Sequence, residues 1–131
     1  MIFVDSSVWI ASLRDASSLE ARQLSTLLDE DRVALAVPVF LEVLSGAGRS
    51  DRAPLRRVLS ALPMFYPERE TWDRVEKWVA AAGEAGQRFG LLDLLIAAVA
   101  AEREGTLWSL DADFVRMEAL EFIGLFKPSL R

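Results

Sequence analysis

The sequence lacks both cysteine and histidine, and these two absences narrow the chemistry that the chain can perform. Without cysteine there are no disulfide bonds and no thiolate metal ligands, which suits a reducing compartment. Without histidine, the Ser-His-Asp triad, imidazole acid–base catalysis and the usual zinc ligand sets are excluded. Any acid–base or metal chemistry must therefore rest mainly on carboxylates, and the chain carries 20 aspartate and glutamate residues.

A long hydrophobic run is also missing. The longest apolar run, Phe89 to Ala101, contains Asp93 and is shorter than the stretch of about 20 residues that spans a bilayer. The N-terminus has no basic leader followed by an apolar core and a cleavage site, as a signal peptide would. The sequence therefore predicts a cytoplasmic protein that does not interact with membranes.

The overall composition is that of a folded domain of ordinary size. Hydrophobic residues make up 52% and charged residues 27% of the chain, so we expect one globular domain over residues 1–131. The formal net charge of −5 argues against a surface that coats nucleic acid along its length. It leaves a nucleic-acid enzyme open, because a bound cation or a local basic patch can contact phosphates.

Short apolar segments alternate with helical patterns along the whole chain. Strands are predicted at residues 1–4, 32–37, 106–110 and 120–126, with a brief extended piece at 63–67. Helices are predicted at residues 7–14, 16–31, 38–47, 50–62, 68–85 and 90–104, with a turn or short helix at 111–118. This alternation predicts a mainly parallel sheet that is covered by helices on both faces, in a three-layer α/β domain.

Some local features of the helices can also be predicted. Pro38 suits the first turn of the third helix, Ser18 is expected to cap the second helix, and Ser50 or Asp51 is expected to cap the fourth. The apolar residues expected to face inward are Leu19, Leu24, Leu27 and Leu28 in the second helix. In the long fifth helix, the apolar residues that recur at helical spacing are Trp72, Val75, Trp78 and Val79.

Two acidic residues stand in apolar surroundings. Glu42 is the only charged residue of PVFLEVL, and Asp93 is the only one of GLLDLLIAAVA. Ionised carboxylates are rarely buried without partners, because desolvation of the charge costs more than helix formation returns. Two ordinary explanations stay open at this point: Asp93 could cap its helix after Gly90, and Glu42 could pair with Arg88.

The acids also lie close to the ends of predicted strands. Asp5 directly follows the first strand, Glu42 lies about one turn into the helix after the second, and Asp111 follows the segment TLWS. In a parallel sheet, ligands bind outside the carboxyl ends of the strands. We therefore expect these acids to meet at one edge of the sheet, and Asp93 can join them if its helix begins there.

Carboxylates gathered at one point repel one another unless a counter-charge joins them. Two unit charges about 4 Å apart repel by roughly 4 kcal/mol at an effective dielectric constant of about 20. An oxygen-only cluster selects hard cations such as Mg²⁺ or Mn²⁺, so Asp5 is interpreted as a metal ligand first and a helix cap second. Taken singly, Asp111 and Asp113 could also be ordinary turn residues. Such an ion would activate water for attack on phosphorus, so phosphodiester hydrolysis would need no histidine.

The acidic motifs resemble those of PIN-domain ribonucleases, and most closely those of the small bacterial VapC-like toxins. The matching segments are VDSSVWI with Asp5, PVFLEVL with Glu42, GLLDLLIAAVA with Asp93, and WSLDADF with Asp111 and Asp113. They occur in the family's order and at suitable spacing over essentially the whole chain. The resemblance implies a three-layer α/β/α PIN-like domain with a mainly parallel central sheet.

The resemblance also implies an activity, a cofactor and a ligand set. The activity is endoribonucleolytic hydrolysis of RNA phosphodiester bonds with one or two Mg²⁺ or Mn²⁺ ions, in the toxin of a toxin–antitoxin pair. By the family pattern, the catalytic metal ligands are Asp5, Glu42, Asp93 and Asp111. Asp113 is a possible fifth acid, which either lies outside the direct ligand set or alternates with Asp111.

Three further residues match positions that support such a site. Ser7 and Ser109 fall where the family often has a hydroxyl that orients a carboxylate or a water, although helix capping or strand-end hydrogen bonds would explain them equally well. Arg88 stands where a basic residue often precedes the third acid and contacts phosphate. It could equally be a surface arginine with no role.

The resemblance implies RNA as the substrate, a homodimer, and inhibition by a cognate antitoxin whose tail lies across the active-site groove. Large apolar residues could serve such interfaces or simply the core, namely Trp9 and Leu13 on the first helix and Trp72 and Trp78 on the long helix. A basic segment could guide RNA or be a solvated helix face; its residues are Arg49, Arg52, Arg56 and Arg57.

Two other functions remain as alternatives on the sequence alone. A haloacid-dehalogenase-like phosphatase also begins with a strand that ends in aspartate, but it needs a second aspartate where this chain has Ser7. It also needs a later lysine, and Lys77 and Lys127 are poorly placed for this. A non-catalytic α/β interaction module would leave the apolar settings of Glu42 and Asp93 unexplained.

Overall fold

The computed structural model of the protein describes residues 1–129, in which short strands alternate with helices. The strands are β1 (Ile2–Val4), β2 (Val33–Ala36), β3 (Met64–Phe65), β4 (Thr106–Trp108) and β5 (Gly124–Leu125). The helices are α1 (Ser6–Arg14), α2 (Leu19–Asp29), α3 (Val37–Gly46), α4 (Arg49–Ser60), α5 (Arg69–Glu84), α6 (Leu91–Glu102) and α7 (Ala112–Ala119).

The five strands form one sheet in the order β3-β2-β1-β4-β5, and each recorded strand pair is parallel. Right-handed crossovers then put α1 to α4 on one face and α5 to α7 on the other. The helix contacts agree with this arrangement, because α1 packs against α2 and α3, and α5 packs against α6. The parallel α/β architecture predicted from the sequence is therefore confirmed.

The central strands explain why the sequence has unbroken apolar runs instead of alternation. Every residue of β1 and β2 is buried, since helices cover both faces of the sheet. Aromatic side chains fill the space between the layers: the Phe3 and Phe65 rings lie 5.5 Å apart, and Trp78 stacks on Phe122 at 4.7 Å. No helix in residues 1–129 has both the length and the hydrophobicity to cross a membrane.

Most helix signals in the first half of the chain are confirmed, with two corrections. Ser18 caps α2 by accepting a hydrogen bond from the backbone N–H of Ala21, and Pro38 lies in the first turn of α3. The predicted cap of α4 is wrong, because this helix begins at Arg49 and its N-cap is Gly48. Leu19 was expected to face inward but is 45% exposed, because α2 starts there and its buried residues, Leu24 and Leu27, lie further along.

The fifth helix buries a narrower stripe than the sequence suggested. Thr71, Val75, Trp78 and Ala82 are the buried residues, and they recur at intervals of three and four. Trp72 and Val79, at 54% and 47% exposure, each lie one position beyond a buried residue and therefore turn toward solvent. Of the four apolar residues predicted at helical spacing, Val75 and Trp78 therefore face the core, whereas Trp72 and Val79 do not.

The last two strands are shorter than predicted, and the difference shapes the site. Strand β4 ends at Trp108, which leaves Ser109 and Leu110 in the turn that leads to α7. The segment predicted as a turn or short helix is the helix α7, and β5 contains only Gly124 and Leu125. Phe122 and Ile123 were predicted in the last strand, but they are core residues that precede it.

Candidate metal centre

The acidic residues meet at the carboxyl edge of the sheet, where β1 lies beside β4. This is the point at which the strand order changes direction, since the chain moves from β1 toward β3 on one side and from β4 to β5 on the other. Asp5 follows β1, and Asp111 is the N-cap of α7 after β4. Carboxylate oxygens of Asp93, Asp111 and Asp113 all lie within 4.8 Å of one another.

Asp5 is held in a buried position by two serine hydroxyls. Its side chain is almost fully buried, at 6% exposure. Its Oδ2 accepts hydrogen bonds from the hydroxyls of Ser7, at 2.9 Å, and Ser109, at 2.7 Å. Although Asp5 occupies the N-cap position of α1, its side chain makes no capping hydrogen bond. Its carboxylate therefore does not cap the helix, and the predicted second role of Asp5 as a cap is wrong.

The two serines also tie the turn after β4 to the same carboxylate. The Ser7 hydroxyl accepts a hydrogen bond from the backbone N–H of Leu110, and the Ser109 hydroxyl accepts one from that of Asp111, each at 3.0 Å. The two hydroxyl oxygens are 3.2 Å apart. Ser7 and Ser109 thus connect Asp5 to the backbone that carries Asp111, which supports the predicted orienting role.

Glu42 has a third serine as its partner. The Ser6 hydroxyl donates to Oε1 of Glu42 at 3.2 Å. Burial, followed by the charge of Asp5, raises the pKa of Glu42 above its ordinary value, and the Ser6 hydrogen bond lowers it again in part. The predicted alternative, an ion pair with Arg88, is wrong: no ion pair within residues 1–129 joins them, and Arg88 is exposed on the loop before α6.

All the other acids of the cluster act electrostatically on Asp93. Burial, followed by the negative charges of the neighbouring acids, raises its pKa to about 6. In order of effect, those neighbours are Asp111, Asp5, Asp113 and Glu42. The N-cap of α6 is Gly90, so the explanation of Asp93 as an ordinary cap is wrong. The other four predicted acids therefore all act on Asp93, although only Asp111 and Asp113 bring carboxylate oxygens within 4.8 Å of its own.

Asp111 and Asp113 combine a local role with membership of this group. Asp111 caps α7 by accepting a hydrogen bond from the backbone N–H of Asp113 at 2.9 Å, so it has a local structural role beside its place in the cluster. Asp113 Oδ1 accepts a hydrogen bond from Arg116 at 2.7 Å. Arg116 also donates to Oε1 of Gln87 and lies over the Phe89 ring at 4.6 Å.

Ser6, Gln87 and Arg116 were not identified as site residues from the sequence. Ser6 could have been identified, because two adjacent serines follow Asp5 and the carboxylates of Asp5 and Glu42 both need hydrogen-bond donors. Arg116 lies one helical turn after Asp113, a spacing that allows an ion pair. Gln87 carries no sequence signal, because its contact with Arg116 joins residues that are 29 positions apart.

The donor set fits a hard divalent cation. All the candidate ligands are carboxylate oxygens, the class preferred by Mg²⁺ and Mn²⁺. The raised pKa of Asp93 has the cause expected of such a site, namely negative charges collected in a partly desolvated place. A bound cation would relieve this repulsion.

The site is poorly suited to the phosphatase alternative. A nucleophilic Asp5 would have to be approached by the substrate, but it is buried and its Oδ2 is held by two hydroxyls. Neither lysine is near the acids: Lys127 pairs with Glu118 at the other end of α7, and Lys77 lies on α5 in a groove formed with Glu102.

Asp93→Asn is expected to stabilise the metal-free protein at neutral pH. The folded-state pKa of Asp93, about 6, is above its ordinary value of 3.8, so the native state binds this proton more tightly than the unfolded state. The resulting stabilisation is complete below about pH 4 and is lost as the pH rises through about 6. Asparagine cannot ionise, and we expect the variant to gain about 1 kcal/mol at neutral pH, a figure reduced for solvent screening of this partly exposed group.

Urea unfolding of both proteins in the presence of a chelator, at about pH 4 and about pH 7.5, measures this difference. The two free energies of unfolding should agree at the lower pH and diverge at the higher one. A variant that is less stable than the wild type at both pH values would show that Asp93 has a structural hydrogen-bonding role instead.

The chain matches known proteins in both sequence and structure. The PIN domain family matches residues 2–120. Ribonuclease VapC11 of Mycobacterium tuberculosis and VapC ribonuclease Mb1587 of Mycobacterium bovis are each 33% identical to the chain over 124 residues, which cover 87% of this chain and 89% of each relative.

Solved structures of similar shape include toxins and toxin–antitoxin complexes. VapBC2 from Rickettsia felis, crystallised with a DNA fragment from its promoter, has a TM-score of 0.78 at 17% identity and covers 98% of this chain and 100% of its own. VapC20 of Mycobacterium tuberculosis, described as a sarcin-ricin loop cleaving toxin, has a TM-score of 0.64 at 18% identity, with coverages of 89% and 95%. These likenesses establish the fold, and the sequence matches establish more: the chain belongs to the PIN-domain family and to its VapC ribonucleases.

Proposed function

We propose that this protein is a divalent-cation-dependent endoribonuclease that hydrolyses RNA phosphodiester bonds as the toxin of a toxin–antitoxin pair. One observation carries the proposal: carboxylate oxygens of Asp93, Asp111 and Asp113 lie within 4.8 Å of one another at the carboxyl edge of the sheet of a PIN domain, where burial and the neighbouring acids raise the pKa of Asp93. Nucleases of this family generally use divalent metals, and the acids here are of the type that binds them. Its VapC relatives are named ribonucleases.

We assign the cation to Asp5, Glu42, Asp93 and Asp111, with Mg²⁺ or Mn²⁺ as one or two ions and Asp113 beside them. When bound, the cation would activate water as a nucleophile and stabilise the negative charge that develops on the phosphoryl oxygens. Ser7 and Ser109 fix the carboxylate of Asp5, and Ser6 fixes that of Glu42. These hydroxyls keep the ligands in position, so that less reorganisation is needed when the cation and the RNA bind.

Several exposed arginines could contact the RNA phosphates. Arg88 lies on the loop before α6, which carries Asp93, and it makes no ion pair within the described residues. On α4, Arg49, Arg56 and Arg57 are exposed. Arg52 contributes less to this surface, because its guanidinium donates to the backbone carbonyls of Leu44 and Ala47 at the end of α3.

The antitoxin is proposed to lie in the apolar groove between α1, α3 and α4. This groove has a volume of about 610 Å³ and is lined by residues that include Leu13, Val43, Leu55 and Val58. The groove is lined by the ends of α1 and α3 that follow Ser6 and Glu42 in the chain. Leu13 and Val58 are exposed and suit an apolar partner segment. Trp9 and Trp78, in contrast, are buried in the core of the chain, so they are not available to a partner.

A homodimer and a cytoplasmic location complete the proposal. Both follow from the family, and the exposed apolar residues outside the groove, such as Trp72 and Val79 on α5, could contribute to a subunit interface. Sedimentation analysis of the purified chain, alone and with its antitoxin, would test the dimer separately from the activity.

Cleavage of a mixed RNA pool tests the proposed activity. Purified protein, freed of any antitoxin, should cleave the pool with Mg²⁺ or Mn²⁺ and not with EDTA, and excess Mn²⁺ should restore cleavage after the chelator. Cleavage that persists in EDTA would contradict the cation dependence. A folded protein that binds Mn²⁺ without cutting any RNA in the pool would contradict general ribonuclease activity. Cleavage would then have to be restricted to RNAs that the pool does not contain.

A further inference from the structure

One side chain outside the predicted ligand set joins two segments that carry the acids. Arg116 donates a hydrogen bond to Oδ1 of Asp113 at 2.7 Å and another to Oε1 of Gln87. Its guanidinium carbon lies 4.6 Å from the centre of the Phe89 ring. The guanidinium is thus held on three sides, by a carboxylate, an amide oxygen and an aromatic face.

These three partners belong to two different parts of the fold. Asp113 lies in the first turn of α7, whereas Gln87 and Phe89 belong to the loop that leads into α6. Helix α6 carries Asp93, and carboxylate oxygens of Asp93 and Asp113 lie within 4.8 Å of each other. Arg116 therefore ties the segment before Asp93 to the segment that carries Asp113.

We propose that Arg116 is a positioning residue of the metal centre, which acts on the cation by fixing the carboxylate of Asp113. This inference rests on the proposed function, since it concerns the same cation. Outer-sphere partners of this kind orient the carboxylates around a metal, and their loss typically weakens metal binding about 10- to 100-fold.

The geometry requires an arginine at this position, and a positive charge alone is not sufficient. A guanidinium can donate to Asp113 and Gln87 at once while its central carbon lies over the Phe89 ring. A lysine would keep the charge, but it would lose the planar fork that donates to both partners. The charge by itself repels a cation bound nearby, so positioning and charge predict opposite effects on metal affinity.

Calorimetric titration of the metal-free full-length protein with Mn²⁺ separates these two effects. If Arg116 positions Asp113, both Arg116→Lys and Arg116→Met should weaken Mn²⁺ binding, by about 10-fold. If only its charge matters, Arg116→Lys should bind as the wild type does and Arg116→Met should bind more tightly, and either result would overturn the proposal. Lys127→Met, which breaks the ion pair that Lys127 makes with Glu118 of α7, is the matched control and should leave Mn²⁺ affinity unchanged.

A double-mutant cycle tests whether Arg116 acts through Asp113. In the Asp113→Asn background, Arg116→Met should cause no further loss of Mn²⁺ affinity, whereas an equal further loss would overturn the proposal. Gln87→Leu removes one anchor of the guanidinium and should weaken Mn²⁺ binding about threefold, less than the loss expected when the arginine itself is replaced. If the Arg116 variants fail to fold, Gln87→Leu tests the proposal in their place. An unchanged Mn²⁺ affinity of this variant would then overturn the proposal.

The same titration keeps this inference distinct from the proposed function. A wild-type protein that binds Mn²⁺, with Arg116 variants that bind it equally well, overturns only the role of Arg116. A folded wild-type protein that does not bind Mn²⁺ overturns the metal centre and, with it, both proposals.

Discussion

Asp93→Asn is expected to lower the rate of RNA cleavage at least 1000-fold, which corresponds to about 4 kcal/mol of transition-state stabilisation. Asparagine keeps the size of the side chain but cannot supply the negative charge that binds the cation. The position is sensitive because four other carboxylates act on Asp93, and the cation has to neutralise all of them together. Asp5→Asn should cause a similar loss, because Asp5 is the buried member of the cluster.

The measurement is single-turnover cleavage of an RNA that the wild-type protein cuts, with saturating Mg²⁺ or Mn²⁺. Asp29→Asn is the matched control, because it makes the same chemical change at an exposed residue at the end of α2. It should cleave at the wild-type rate. Substantial cleavage by Asp93→Asn would remove this residue from the catalytic site, and an equal loss in Asp29→Asn would point to an effect of net charge instead.

Asp93→Asn is expected to have opposite effects on stability and on activity, and this contrast is informative. The metal-free variant should be more stable at neutral pH because one charge is removed from a repelling group. The same change should abolish cleavage because the repelling group is what attracts the cation. Acids that only maintained the fold would lose stability when neutralised, so a gain in stability with a loss of activity identifies a functional cluster.

The fold and the grouping of Asp5, Glu42, Asp93 and Asp111 could be predicted from the sequence because each rests on a local signal, whereas Asp113 was added by the family resemblance. Unbroken apolar strands that alternate with helices indicate a parallel sheet, and the carboxyl ends of parallel strands meet at one edge. Asp5 directly follows β1, and Asp111 begins α7 just after β4, so the topology alone brings them together. Glu42 and Asp93 were recognised by a different signal, a charge within an apolar helix.

The rest of the site depends on contacts between distant parts of the chain. The Ser109 hydroxyl reaches Asp5 across 104 residues, and the Arg116 guanidinium reaches Gln87 across 29, so neither partner could be assigned from spacing. The cap of α4 was missed for a related reason. Ser50 and Asp51 are good caps by residue type, but the turn after α3 starts the helix at Arg49, which puts both of them inside it.

Ser109→Ala is expected to be the most damaging change at the site that leaves all five acids in place. The Ser109 hydroxyl donates to Oδ2 of the buried Asp5 at 2.7 Å and accepts a hydrogen bond from the backbone N–H of Asp111. Alanine removes both bonds and leaves a buried carboxylate with one donor fewer. We expect a loss of about 2 kcal/mol in the free energy of unfolding, because hydrogen bonds to buried charged groups are costly to break.

Cleavage by Ser109→Ala should fall about 10- to 100-fold, since Asp5 and Asp111 lose the hydroxyl that connects them and the cation then meets ligands in altered positions. Ser12→Ala is the matched control: its hydroxyl only donates to the backbone carbonyl of Val8 within α1, so both stability and cleavage should stay close to wild type. Urea unfolding and single-turnover cleavage of the two variants provide the comparison. If Ser109→Ala keeps wild-type stability and cleavage, then Ser7 alone suffices to hold Asp5, and the connection between β1 and the turn after β4 does not govern the site. If stability falls but the cleavage rate of the folded fraction does not, the hydroxyl supports the fold without positioning the ligands.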